Sequence, residues 1–173
     1  MHPPVETNKF KISEELGNYY LIGSRLVPYK RCDIAIQAFN KLGIPLKIFG
    51  EGPEMERLKK MAKENIEFVG KVSDQELIDL YSKCLAFIHP QEEDFGITAV
   101  EAMASGRPII AYASGGALET VIEGQTGKFF DEQTWESLAD TVIRFKPEDY
   151  NPQVIREHAR KFDIEVFKQK IKD

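Results

Sequence analysis

Six short apolar runs, each followed by a segment whose apolar residues recur at helical spacing, restrict this chain to a layered α/β fold. The runs occupy residues 19–24, 45–49, 66–69, 84–88, 108–112 and 128–130. They do not alternate apolar with polar residues as half-exposed strands do, so they suit a parallel sheet covered on both faces. The segments between them read as helices. Ile34, Ala35, Ala38, Phe39 and Leu42 form one apolar face closed by Gly43, and Met55, Leu58, Met61 and Ala62 form the next. Ser73 and Glu76 have the spacing of a capping box in front of Leu77, Leu80 and Tyr81. A turn at Gly115-Gly116 opens a short helix carrying Leu118, Val121 and Ile122, ended by Gly124. Thr134 caps a further helix packed through Leu138, Ala139, Val142 and Ile143, and residues 151–173 supply one or two more. The expectation is a single Rossmann-like, doubly wound domain over 19–173, with about six parallel strands and helices on both faces. Residues 1–18, with Pro3-Pro4 and mixed charges, read as an extended lead-in or linker.

The chain's 173 residues suit one domain with a proper core. No apolar run approaches the roughly 20 residues of a membrane span, and no secretory signal opens the chain. Cys32 and Cys84 form no disulfide or metal framework, which points to a reducing cytosol. A net charge of -5 argues against nucleic acid as a partner. It leaves room for a small anionic ligand held by a local positive patch.

In doubly wound sheets ligands bind outside the carboxyl ends of the strands, so the loops 25–30, 50–53, 70–73, 89–96 and 113–116 should converge on one edge. Arg25, Lys30 and Arg31 precede the first helix, where cations are unfavourable unless an anion joins them. Either they bind a phosphate or diphosphate assisted by backbone amides, or they bend into water with Asp33 offsetting the charge. Neither GxGxxG nor a P-loop is present. The stretch 89–111 is an acidic loop followed by Phe95-Gly96 and an apolar helix holding one carboxylate, Glu101. On a shared helix Glu93 and Glu101 would lie about 12 Å apart in rise and about 80° apart in direction, which argues against a paired glycosidase-like use. Glu93 instead hangs over the helix N-terminus. Glu101 sits more than a turn inside, as the partner of a buried Arg or backbone amide, or of sugar or ribose hydroxyls. Gly115-Gly116 allows close backbone approach to a ligand or is a plain tight turn. His89 is a satisfied strand-end histidine or a donor to a substrate oxygen. His2 and His158 have no companions that suggest a metal.

The ordered motifs GSRLVPYK, IFGEGP, FVGKV, HPQEEDFGITAVEAMASGRPIIA and SGGALETVIEGQTG resemble the carboxy-terminal, donor-binding domain of retaining GT-B glycosyltransferases of the large family-four group. The likeness covers most of residues 19–130. It implies one half of a GT-B fold and an E-x7-E pattern on Glu93 and Glu101, with Glu93 near the sugar ring and Glu101 on the ribose hydroxyls. It further implies that Arg25 and Lys30 neutralise a diphosphate, that amides of Phe95, Gly96 and Ile97 meet sugar and phosphate, and that the base is read by backbone groups after Gly70. The family often has Gly where Asp94 stands and Pro where Thr98 stands.

By this resemblance the reaction transfers a hexosyl group from a nucleoside diphosphate sugar, with retention, to a glycan or lipid acceptor. Glu93, Arg25 and Lys30 act at the reacting centre, and neither a cofactor nor a metal is needed. The EEDFG variant resembles mannosyltransferases and points to GDP-mannose. An amino-terminal acceptor domain is expected to precede residue 1, because residues 3–10 resemble the interdomain linker. Localisation is expected to be cytoplasmic, with any peripheral membrane contact at the inner face made through that other domain. Two further readings remain: a non-catalytic receiver-like module, which needs an acidic cluster where this chain has Ser24-Arg25, and half of a sugar-nucleotide epimerase.

Overall fold

The computed structural model describes residues 5–172. His2, the Pro3-Pro4 pair of the lead-in and Asp173 lie outside the described residues. The strands are β1 (Tyr20–Gly23), β2 (Leu46–Phe49), β3 (Ile66–Gly70), β4 (Phe87–His89), β5 (Ile109–Tyr112) and β6 (Gly127–Phe130). They form one six-stranded sheet in the order β3-β2-β1-β4-β5-β6, every pairing parallel. The helices are α1 (Cys32–Leu42), α2 (Met55–Met61), α3 (Asp74–Lys83), α4 (Ile97–Ala104), α5 (Ala117–Thr120), α6 (Trp135–Arg144), α7 (Pro152–Ala159) and α8 (Ile164–Lys172). The doubly wound architecture expected from the strand pattern is therefore the one the chain adopts.

Neighbouring strand residues feed opposite faces, as a pleat requires. Tyr20, Ile22, Ile48, Ile88 and Ile110 pack in a core with Ile34, Ala38 and Phe39 of α1 and Leu138 and Val142 of α6. Leu21, Phe49, Phe87, Ile109 and Ala111 pack in a second core with Tyr81 of α3, Val100 and Met103 of α4 and Ile155 of α7. Each core is made of strand residues that a half-exposed sheet could not carry. Gly43 closes α1 in the left-handed region at φ 70°, its amide donating to the Phe39 carbonyl across 2.9 Å. The Ser73–Glu76 capping box is present in both directions.

Three local expectations change. The fourth strand begins at Phe87 and not at Cys84, which instead follows α3 and turns its thiol to the Tyr81 carbonyl. Leu118 and Ile122, expected to pack, are exposed because α5 is a single turn that buries only Ala117 and Thr120. Ile143 is 69% exposed because it lies about 100° around α6 from the buried Val142.

The lead-in runs against the second face of the domain. Val5 bridges to Asp163, Phe10 is buried edge-to-face on Tyr81 at 5.5 Å, and Lys9 pairs with Asp74 at 3.3 Å. Arg156 donates to the Phe10 carbonyl across 2.6 Å, and Arg107 donates to that of Ser13 across 2.7 Å. These bonds satisfy backbone acceptors of a segment whose described residues hold a single helical turn, Thr7–Lys9.

Candidate functional site

The strand order reverses between β1 and β4, paired at Leu21 and Phe87. The connections leaving these two strands go to opposite faces, which opens a crevice at their carboxyl ends. From β1 the chain passes through a helical turn, Pro28–Lys30, whose fixed proline φ favours the bend. Arg31 then enters the left-handed region at φ 55° before α1. From β4 it runs through the acidic loop to Gly96, the N-cap of α4.

This geometry presses Lys30 against Glu93. The Lys30 ammonium donates to Glu93 Oε1, with side chains only 18% and 13% exposed. They line a cavity of about 580 Å³ with Tyr29, Glu92, Asp94, Phe95, Ile97 and Thr98. The Lys30 ammonium also lies 5.0 Å from the Tyr29 ring centre, a cation–π distance. Lys30 is the one cation among the residues lining this space, and it faces three carboxylates.

The other basic residues separate. Arg31 pairs with Asp33, Nε to Oδ1 at 3.2 Å, so the charge offset by Asp33 belongs to Arg31. Arg25 is exposed and lines a second groove of about 470 Å³ with Glu51, Gly52, Pro53, Met55 and Gly70. The sequence-derived residues thus fall into two neighbouring spaces: Lys30, Glu93, Phe95 and Ile97 in one, Arg25 and Gly70 in the other.

Glu101 lines neither space. Within the chain its partner is the hydroxyl of buried Tyr81, which donates to Oε1 across 3.1 Å, in place of the buried Arg or backbone amide that was one alternative; the other was sugar or ribose hydroxyls. Burial raises the Glu101 carboxyl above its ordinary range, against the opposing pull of the Tyr81 bond and of Lys9. Sequence reasoning placed Tyr81 on a packing face only. A phenol tip in a buried aromatic cluster needs an acceptor, and that requirement was the available signal. Lys9 left no such signal.

Glycine placement explains how the acidic loop is seated. Gly115, at φ 61°, and Gly116 lie against the backbone of Glu93 and Asp94, where a Cβ on either would collide. The Gly116 amide donates to the Glu93 carbonyl across 2.6 Å. The close approach that this pair permits is made by the loop itself. A Cβ at Gly96 would stand 2.7 Å from Cε1 of His89. His89 is 2% exposed, and its Nδ1 is the one buried side-chain nitrogen or oxygen without a hydrogen-bond partner among the described residues. Burial holds its imidazole down at about 4, with Lys30 acting in the same direction and Glu93 opposing. The ring is therefore neutral at physiological pH.

Fold and edge chemistry together define a doubly wound domain whose ligand crevice carries a lysine clasped to a glutamate at the mouth of a glycine-capped helix. The chain belongs to the family described as glycosyl transferases group 1, whose pattern matches residues 5–162. The GDP-mannose-dependent alpha-(1-6)-phosphatidylinositol monomannoside mannosyltransferase of Mycobacterium tuberculosis is 33% identical over 170 residues, covering 81% of this chain and 44% of that protein. The chain spans less than half the length of such curated relatives. Sucrose-phosphate synthase from Thermosynechococcus elongatus superimposes with a TM-score of 0.85 at 24% identity, covering 97% of this chain and 49% of that one. Anabaena HepE, solved with UDP and glucose, gives 0.82 at 22% identity, covering 99% and 55%. These structural likenesses establish the shared fold. No helix among the described residues is long and apolar enough to cross a membrane.

Proposed function

We propose that this chain is the donor-binding half of a retaining glycosyltransferase that moves a hexosyl group from a nucleoside diphosphate sugar to a glycan or lipid acceptor. The observation that carries this reading is the meeting of Lys30 and Glu93 at the β1/β4 crevice, beside the glycine-capped N-terminus of α4. Lys30 and the first free amides of α4 offer positive charge where a diphosphate would lie, and Arg25 stands at the neighbouring groove. Glu93 accepts sugar hydroxyls, and Glu101, offered by Tyr81, accepts those of the ribose. Gly70 closes β3 beside the Arg25 groove, where a base would rest against backbone.

In transfer, Lys30, Arg25 and the α4 amides stabilise charge growing on the departing diphosphate. A diphosphate oxygen takes the proton of the acceptor hydroxyl. No metal or other cofactor is required by this scheme. The mannosyl group of GDP-mannose is the preferred cargo, supported by the name of the mycobacterial relative. The acceptor is met by an amino-terminal domain, with the whole working in the cytoplasm. Calorimetric titration with GDP, UDP and their sugars tests the reading. Lys30→Gln and Arg25→Gln together should weaken binding by on the order of a hundredfold, and unchanged affinity would refute it.

A further inference from the structure

The one cation lining the ligand-free crevice is already held by one of the crevice's own carboxylates. A carboxylate is acceptor-only, so Glu93, mostly buried, needs a donor in every state of the site. Lys30 is the donor it has now, and the other acids lining the cavity, Glu92 and Asp94, offer none when ionised.

Two ligands that share a diphosphate meet this pair differently. The anionic oxygens of a bare nucleoside diphosphate compete with Glu93 for Lys30 and give Glu93 nothing in return. If the ammonium is shared instead, phosphate and carboxylate are drawn together as like charges, which costs affinity. A nucleoside diphosphate sugar brings the same phosphates plus hydroxyl donors on the far side. Those hydroxyls can satisfy Glu93 as it yields Lys30 to the phosphate.

We propose that the Lys30–Glu93 pair is a specificity device that makes the crevice prefer the intact nucleotide sugar to the nucleoside diphosphate left after transfer, Glu93 reclaiming Lys30 once the sugar is gone. The inference rests on the donor-binding reading above and adds a sign to it. The glutamate that helps hold the sugar works against the bare nucleotide and favours its release.

The test is a titration series with GDP and GDP-mannose, run in parallel with UDP and UDP-glucose, on the wild type, Glu93→Gln, Lys30→Gln and the double variant. Glu93→Gln should bind the bare nucleoside diphosphate about five- to tenfold more tightly than wild type. Its preference for the sugar-bearing form over the bare form should shrink by at least that factor. In the Lys30→Gln background the same glutamate replacement should change nucleotide affinity by less than about twofold, since no ammonium is left to free. Unchanged or weaker nucleotide binding by Glu93→Gln overturns the device and leaves the donor-binding reading intact. Equal tightening with and without Lys30 also overturns it, because plain charge repulsion then suffices. A wild type that binds neither nucleotide pair overturns the donor-binding reading itself.

Discussion

The hydroxyl of Tyr81 donates to Oε1 of Glu101 across 3.1 Å, joining the end of α3 to the middle of α4 beneath the ligand edge. Burial raises the Glu101 carboxyl above its ordinary 4.5. The folded state therefore holds the proton more tightly than the unfolded one. The ionised carboxylate costs the fold stability at neutral pH, and that cost fades as pH falls toward 4.5. Glu101→Gln keeps an acceptor for Tyr81 and removes the charge. In urea denaturation it should be at least as stable as wild type at pH 7, with the difference shrinking toward pH 4.5, while nucleotide affinity drops on the order of tenfold. Gain of stability with loss of binding is the mark of a residue kept for its ligand.

His89 gives a pH dependence of opposite sign. Its imidazole is held down from 6.5 to about 4, chiefly by burial. Between those values the unfolded chain binds a proton that the folded chain refuses, so stability is complete above 6.5 and is lost as pH falls toward 4. A shift of this size corresponds to about 3 kcal/mol. His158, also lowered by burial, acts in the same sense, so the reading is the difference between wild type and His89→Gln. The variant should lose stability more slowly between pH 6.5 and 4, and parallel curves would show that His89 titrates normally in the fold.

Gly96 is required by the ring beneath it. At φ -96° its backbone suits any residue, so the cost of Gly96→Ala is the contact with His89, about 1–3 kcal/mol by chemical denaturation. Combined with His89→Ala, the alanine at 96 should cost at least 1 kcal/mol less, as expected for touching sites. A full penalty in the double variant would place the clash elsewhere.

Asp163 clasps the lead-in to the carboxy-terminal segment. It accepts the Thr7 amide at 3.0 Å, the Thr7 hydroxyl and the Glu165 amide at 2.8 Å. Burial alone would raise its carboxyl, but these bonds outweigh it and hold the group below 3.8. The stability they give is present above 3.8 and lost as pH falls through the lower folded value. Asp163→Asn should cost about 1–2 kcal/mol and speed limited proteolysis within residues 5–18. Unchanged cleavage would mean that Arg107 and Arg156 hold the segment unaided.

Sheet topology was legible because continuous apolar strands admit few alternatives: parallel pairing with helices on both faces predicts the converging loops before any contact is known. Capping was legible too, since Ser73 and Glu76 carry their geometry in their spacing. Legibility ended where long-range contacts decide the outcome. The separation of 63 positions between Lys30 and Glu93 hides their ion pair, and Tyr81 looked like any apolar helix residue until Glu101 came within reach. Gly115-Gly116 read as a turn or a ligand contact, because only tertiary packing brings Glu93 and Asp94 over it. The burial of Phe10 and Thr7 was likewise invisible in a segment without periodicity.

The most direct measurement is a crystal structure of this chain with GDP-mannose bound. The account predicts the diphosphate between Lys30 and the amides at the start of α4, sugar hydroxyls on Glu93, ribose hydroxyls on Glu101, and the Lys30–Glu93 pair parted. A nucleotide seated elsewhere on the sheet, or in this crevice with that pair still closed, would contradict it.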